Sequence, residues 1–204
     1  MQADGRLGLR SLQVFMTLEE RRNLLISLLQ DADEEVRLAA SEALEALESC
    51  QELEQIIQNL RSDKRGLRVK AIFATEKLTS SEIFAPLIGL LKDPDPDIRS
   101  AVVQVLGSKA HPKTLNHLVR HLKDPAPAVR VHTAEALGRF RDARLVPYLA
   151  AVLDSSDEQL VVAALHSLGA LNAPEAADRV QNLLKDQRAV VRRAAAEALG
   201  TIPL

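Results

Sequence analysis

The chain has 204 residues, with 26 basic against 28 acidic side chains and a formal net charge of -2. That balance gives no general affinity for polyanions. Cys50 is the sole cysteine, which excludes an internal disulfide and argues against a cysteine-based metal site. Apolar residues make up 47% and aromatics 2%, with no Trp. Leu, Ala and Val suit close helix packing, whereas the core of a globular enzyme carries more aromatic mass.

The first sixteen residues lack the apolar core and small-residue cleavage site of a signal peptide. No apolar run reaches the roughly eighteen residues of a membrane span. A cytoplasmic protein in a reducing compartment, without a membrane partner, is the expectation.

Residues 1–16 match none of the pattern that follows and are expected to form an N-terminal cap or tail. From residue 17 to 204 three registers repeat with a step of 31: Leu29, Leu60, Leu91, Leu122, Leu153, Leu184; Arg37, Arg68, Arg99, Arg130, Val161, Arg192; and Gly107, Gly138, Gly169, Gly200. Their agreement divides the chain into six units, at 17–48, 49–79, 80–110, 111–141, 142–172 and 173–204.

The first unit is acidic, and Cys50 falls between its second helix and the first helix of the next unit, among Glu48, Glu52 and Glu54. Acidic neighbours disfavour a thiolate, so no nucleophile is read there. The second unit is degenerate, with Thr75 and Glu76 where the third to sixth units have Leu-Gly.

The fourth unit shows the design best. Leu115, Leu118, Val119 and Leu122 recur at helical spacing, Lys-Asp-Pro-Ala-Pro at 123–127 makes a turn, and Val129, Thr133, Ala136 and Leu137 form a second apolar stripe that Gly138 ends. The fifth unit carries Ser155 and Val161 in place of the Asp and Arg of its neighbours. The sixth ends without a polar capping helix, which leaves homo-oligomerisation through that end open. No segment alternates with period two, as a strand would.

Two stretches carry a family resemblance: Leu-Leu-Lys-Asp-Pro-Asp-Pro-Asp-Ile-Arg at 90–99 and Val-Arg-Arg-Ala-Ala-Ala-Glu-Ala-Leu-Gly at 191–200. They resemble HEAT repeats, and most closely the short variety named for phycobilisome lyases. The resemblance implies an all-α, right-handed solenoid of the ARM/HEAT type, built from six helix–turn–helix repeats with the second helices on the concave face. It also implies a role as a binding scaffold, and a ladder of Asp–Arg pairs between repeats.

The ladder residues are Asp31, Arg37, Arg68, Asp93, Arg99, Asp124, Arg130, Asp186 and Arg192. The turn aspartate is placed to cap the second helix, and the arginine to reach an aspartate across the stack. Joint loss of both types in the fifth unit favours pairing over ligand binding.

Chemistry finds little support. His117 and His121 share a helix face, but no cysteine or acidic pair completes a metal site, and His121 sits at a half-buried register. Deoxyhypusine hydroxylases among HEAT proteins bind iron through His-Glu pairs. The histidines here precede Pro, Leu, Leu, Thr and Ser. HEAT-like DNA glycosylases depend partly on aromatic contacts that this chain barely supplies. No phosphate loop, zincin motif or nucleophile elbow is present. No cofactor, no metal and no catalytic residue is expected.

What remains is surface. Taking the ladder arginine as zero at about 100° per residue, the apolar positions of the second helix fall between about 240° and 340°. Offsets +1 and +5 fall on the opposite side and form two rows: Leu38, Val69, Ser100, Val131, Val162, Arg193, and Glu42, Phe73, Gln104, Glu135, His166, Glu197. Two readings stay open. Either solenoid curvature covers this apolar strip, or it is a groove for a peptide or helix of another protein.

Charge offers a different partner. Residues 17–60 hold 11 acidic and 3 basic side chains, whereas 109–144 hold 8 basic and 3 acidic. Lys109, Lys113, Arg139, Arg141 and Arg144 form a basic edge for weak nucleic-acid binding, against the alternative of a solvated loop edge. Nucleic acid is not the expected partner. The lyase-named relatives attach bilin chromophores, often as paired subunits, which makes an accessory lyase role the other alternative. No residue here is carried over for that chemistry. The expected function is a non-catalytic scaffold or adaptor that binds another protein along the second-helix ridge.

Overall fold

The computed structural model describes residues 16–202, and the described chain is helical with no strand. The expected cap or tail at 1–16 lies, apart from Met16, outside the described residues. The chain divides into two compact units, Met1–Glu54 and Gln55–Leu204.

In the first unit, α1 spans Leu18–Leu28 and α2 begins at Glu34. A capping box starts α1: the Thr17 hydroxyl accepts from the Glu20 amide at 3.2 Å, and the Glu20 carboxylate accepts from the Thr17 amide at 2.7 Å. Of this unit's described residues only Ala40 is buried, and α1 buries none.

α2 runs without interruption from Glu34 to Leu60. The break expected near Cys50 therefore does not form, and Cys50 sits exposed on a continuous helix. The physical reason is local. Residues 41–60 contain neither Gly nor Pro and no run of turn formers, so nothing there ends a helix.

Residues 55–202 form an α-solenoid. Its second helices are α3 (Arg65–Ala74), α5 (Pro96–Lys109), α7 (Pro127–Gly138), α9 (Glu158–Ala170) and α11 (Ala189–Leu199). Each packs on the next in order. The first helices are shorter: α4 (Phe84–Leu90), α6 (Leu115–Val119), α8 (Val146–Ala151) and α10 (Ala177–Asn182). Short 3-10 turns lead into them, as at Pro112–Thr114 and Pro174–Ala176. The leucine register supplies core: Leu60, Leu91, Leu122 and Leu153 are all buried.

Gly138 is the last residue of α7, whereas Gly107 and Gly169 lie within their helices; left-handed residues come three places after each glycine, at Ala110, Arg141 and Asn172 with φ of 44°, 51° and 49°, and Ala110 caps α5. A Cβ on Gly107 would stand 2.5 Å from the Ala136 Cβ, and one on Gly138 would stand 2.6 Å from the Ser167 Oγ. Glycine is needed there because successive second helices approach too closely for any side chain. The Ser167 hydroxyl uses that approach to donate to the Ala134 carbonyl at 2.8 Å.

Candidate interaction surface

The inter-repeat turns come first, because they hold the second helices in position. In each turn the residue at the aspartate register accepts a hydrogen bond from the amide two places on. Asp31, Asp93, Asp124 and Asp186 do so with a carboxylate, and Ser62 and Ser155 with a hydroxyl. These are Asx and Ser turns. The turn aspartate is therefore not the helix cap expected from sequence. Where the second helix has a side-chain cap, it comes from the next acidic residue, Asp33, Asp95 or Asp157.

Each ladder arginine closes its own turn from behind. Nη1 of Arg37, Arg68, Arg99, Arg130 and Arg192 donates to the carbonyls six and five residues earlier. The other edge of three guanidiniums reaches the following turn. Arg99 binds Asp124 through two hydrogen bonds of 2.8 and 2.9 Å, and Arg130 reaches Asp157 at 2.8 Å. Arg68 Nε lies 3.1 Å from Asp93, off the hydrogen-bond axis.

Burial alone would raise the Asp124 carboxyl, but hydrogen bonds from Arg99, the Ala126 amide and His121 hold it down at about 2. In the fifth unit Asp157 takes over from Ser155 as the acceptor. Where Val161 replaces the arginine, Arg188 pairs with Asp186 and reaches back to the Ser155 carbonyl at 3.1 Å. That pairing holds Asp186 at about 2.

The second-helix ridge can now be placed. Leu38 and Glu42 are exposed on α2 in the first unit. In residues 55–202 the other ridge residues, Glu197 apart, gather in two hollows. One, of about 460 Å³, lies over α7, α9 and α11, where half-buried Val131 and Val162 are bordered by Glu135, His166 and Arg193. The other, of about 260 Å³, lies over α3 and α5 and holds Val69, Phe73 and Gln104. Phe73 is 43% exposed, whereas Ser100 is buried.

Polar side-chain contacts order the rims. Arg65 spans two repeats to Asp95 and Asp97, at 2.6 and 2.5 Å. His166 meets Glu197 at 3.3 Å across two helices, and His132 meets Glu135 at 3.1 Å.

Arg65, Asp97, Glu158, Gln159 and Val190 also line these hollows and were not picked out from sequence. The signal was there. They sit two or three places before the ladder register, which at about 100° per residue is about 160° or 60°, flanking the sector already chosen.

The basic edge is largely occupied. The Lys109 ammonium donates to the Leu78 and Glu76 carbonyls, at 2.7 and 3.2 Å, where a helical turn ends. Arg139 donates to the Ser108 hydroxyl, and Arg144 forks onto Asp142. Lys113 and Arg141 are exposed. His121 lies 3.3 Å from Asp124, while His117 is exposed, and no group of three metal-ligating side chains occurs among the described residues. No described helix is long and apolar enough to cross a membrane.

The HEAT-repeat profile matches residues 53–127 and 117–200, and a second HEAT-repeat profile matches 22–51. The chain belongs to the HEAT-repeat family. Among solved structures, this HEAT protein is similar to a chain of the complex of CpcE and CpcF of phycocyanin lyase from Nostoc sp. PCC7120, at 26% identity and a TM-score of 0.65. The match covers 73% of this chain but 64% of the Nostoc one.

An engineered protein (18% identity, TM-score 0.56, 89% of this chain and 96% of that one) shares the fold. So does YibA of Escherichia coli (19% identity, TM-score 0.54, 90% and 67%). No curated protein matches the chain. Together the matches establish a HEAT-repeat solenoid similar to repeats of the phycobilisome-lyase type.

Proposed function

We propose that this HEAT protein is a non-catalytic scaffold that binds another protein on the second-helix surface of residues 55–202, in the cytoplasm. The observation that carries the reading is the hollow over α7, α9 and α11. Its floor holds the apolar side chains Val131 and Val162, its border offers Glu135, Glu158 and Arg193, and two His–Glu contacts order its rim. An apolar floor with an ordered polar rim is how a groove binds a side chain of a partner segment.

The test is a triple variant, Phe73→Ala, Val131→Glu and Val162→Glu, in affinity capture from the native cell. Partners retained by the wild type are lost, while circular dichroism and melting stay unchanged. Unchanged capture refutes the assignment.

A second reading has one observation behind it, the likeness to the Nostoc phycocyanin lyase complex. In that reading the chain is an accessory subunit of a lyase-type system, and the same surface holds the other subunit or the acceptor protein. Incubation with a bilin and its acceptor gives a covalent coloured product if this is right, and none if the chain serves elsewhere. The nucleic-acid alternative is not adopted, because Lys109, Arg139 and Arg144 are engaged within the protein. Steeply salt-dependent RNA or DNA binding would reinstate it.

A further inference from the structure

A third hollow, of about 330 Å³, lies on the first-helix side of the stack, over α4 and α6. Ala85, Ile88, Gly89 and Leu91 give it an apolar wall. Its polar lining is Lys92, His117, Arg120 and His121, and among the described residues no carboxylate joins them.

The acidic side chains nearest along the chain are already engaged. Asp93 faces Arg68 and accepts from the Asp95 amide. Asp124 accepts from Arg99 and the Ala126 amide, and His121 lies beside it. Lys92, His117 and Arg120 are exposed, and none forms an ion pair among the described residues.

The repeat itself supplies a comparison. Two repeats further on, the registers of Lys92 and His117 carry Asp154 and Arg179, which close on each other as an ion pair. With Lys92 and His117 at those positions neither side offers a carboxylate, so the chain has nothing of its own to close the hollow.

Gly89 keeps it open. The same register carries Gln58, Arg120, Ala151 and Asn182 in other repeats. Gly89 lies inside α4, its φ is not left-handed, and a Cβ there would meet nothing within 4 Å. Neither backbone geometry nor packing requires glycine at this position, and glycine is a poor helix former.

We propose that this hollow binds an acidic segment of a partner protein. Carboxylates of that segment pair with Lys92 and Arg120, and an apolar side chain next to them lies against Ala85 and Ile88. Two free cations beside an apolar wall complement such a segment in both charge and hydropathy. A nucleic-acid strand fits less well, because no aromatic ring lines the hollow for a base to stack on.

The probe is a fluorescently labelled peptide of alternating glutamate and leucine, followed by anisotropy with the full chain at about 50 mM salt. The wild type binds it with a Kd below about 100 μM, and a peptide with glutamine for glutamate binds at least about tenfold more weakly. Gly89→Leu fills the hollow without changing charge. That variant, and separately the double variant Lys92→Glu and Arg120→Glu, weakens binding at least about tenfold with unchanged circular dichroism. Lys185→Glu makes one of the same charge changes at the register of Lys92 in the last repeat, and leaves the Kd within about twofold.

Any of four results overturns the proposal. The first is no binding up to about 1 mM. The second is equal affinity for the glutamine peptide. The third is a Gly89→Leu variant that binds as the wild type does, or a Lys185→Glu variant as weak as the double variant. The fourth is a single-stranded RNA that binds more tightly than the peptide and is lost in the same variants, which makes the hollow a nucleic-acid site. None of these substitutions touches the second-helix hollows, so the result is independent of the scaffold assignment.

Discussion

Leu153 and Leu184 stand at the same register one repeat apart, yet the first is 2% exposed and the second 39%. Arg130 and Arg192 close their own turns in the same way, but Arg130 also binds an aspartate of the following repeat. Gly138 faces Ser167 at a distance that leaves no room for a Cβ, while Gly200 faces no neighbouring helix among the described residues. The interior repeats and the last repeat thus share their residues and differ in their coupling. A repeat supplies half of each interface, and its energy depends on whether the other half is present.

The leucines give the largest expected contrast. Leu153→Ala removes buried methyl groups and leaves a cavity, costing about 3 kcal/mol, whereas Leu184→Ala costs under about 1 kcal/mol. Urea unfolding with an unchanged m-value reads both, and equal losses would break the comparison.

Next comes the ladder. Arg99→Ala strands the buried Asp124 carboxylate and costs about 2.5 kcal/mol. Arg192→Ala loses hydrogen bonds to two carbonyls and costs about 1 kcal/mol.

A pH series sharpens the same point. The Asp124 carboxyl titrates at about 2 in the folded chain, against an ordinary value of 3.8. A depressed value stabilises the fold above the ordinary one, and the gain is lost as pH falls toward 2. The contribution is about 2 kcal/mol. Asp124→Asn should flatten the stability profile between about pH 4 and pH 2, and a profile as steep as the wild type's would reject the assignment.

The last contrast, with the smallest loss at its interior site, is at glycine. Gly138→Ala forces two helices apart and costs about 1.5 kcal/mol. Gly200→Ala, with open space and better helix propensity, is neutral or stabilising by up to about 1 kcal/mol. Thermal melts of the two variants should move in opposite directions or leave Gly200→Ala unmoved.

How legible was this in the sequence? The leucine, arginine and glycine registers are periodic, and periodicity survives in one dimension. The all-helical solenoid follows from them, and the family matches agree. The roles of individual residues were less legible. Gly138 reads as a helix stop because glycine often is one, yet its reason lies 29 residues away at Ser167. The paired loss at Ser155 and Val161 reads as a lost bond within one repeat. In space the arginine reaches forward to the next turn, so Asp157 and Arg188 each answer a different repeat.

The helix through Cys50 was missed for the opposite reason. The period predicted a boundary there, but no local residue enforces one. The ridge was found in part. Val131, Glu135, Val162 and His166 do share one hollow, but Glu158 and Val190 join it from the start of their helices.

The sequence by itself determined the helical class, the period of 31 and which face of the second helices is apolar, because those depend on residues near one another along the chain. Tertiary structure alone decided which leucines are covered, which aspartate each arginine holds, and why glycine stands where it does. Those are properties of interfaces between repeats, and an interface exists only where a second surface arrives to complete it.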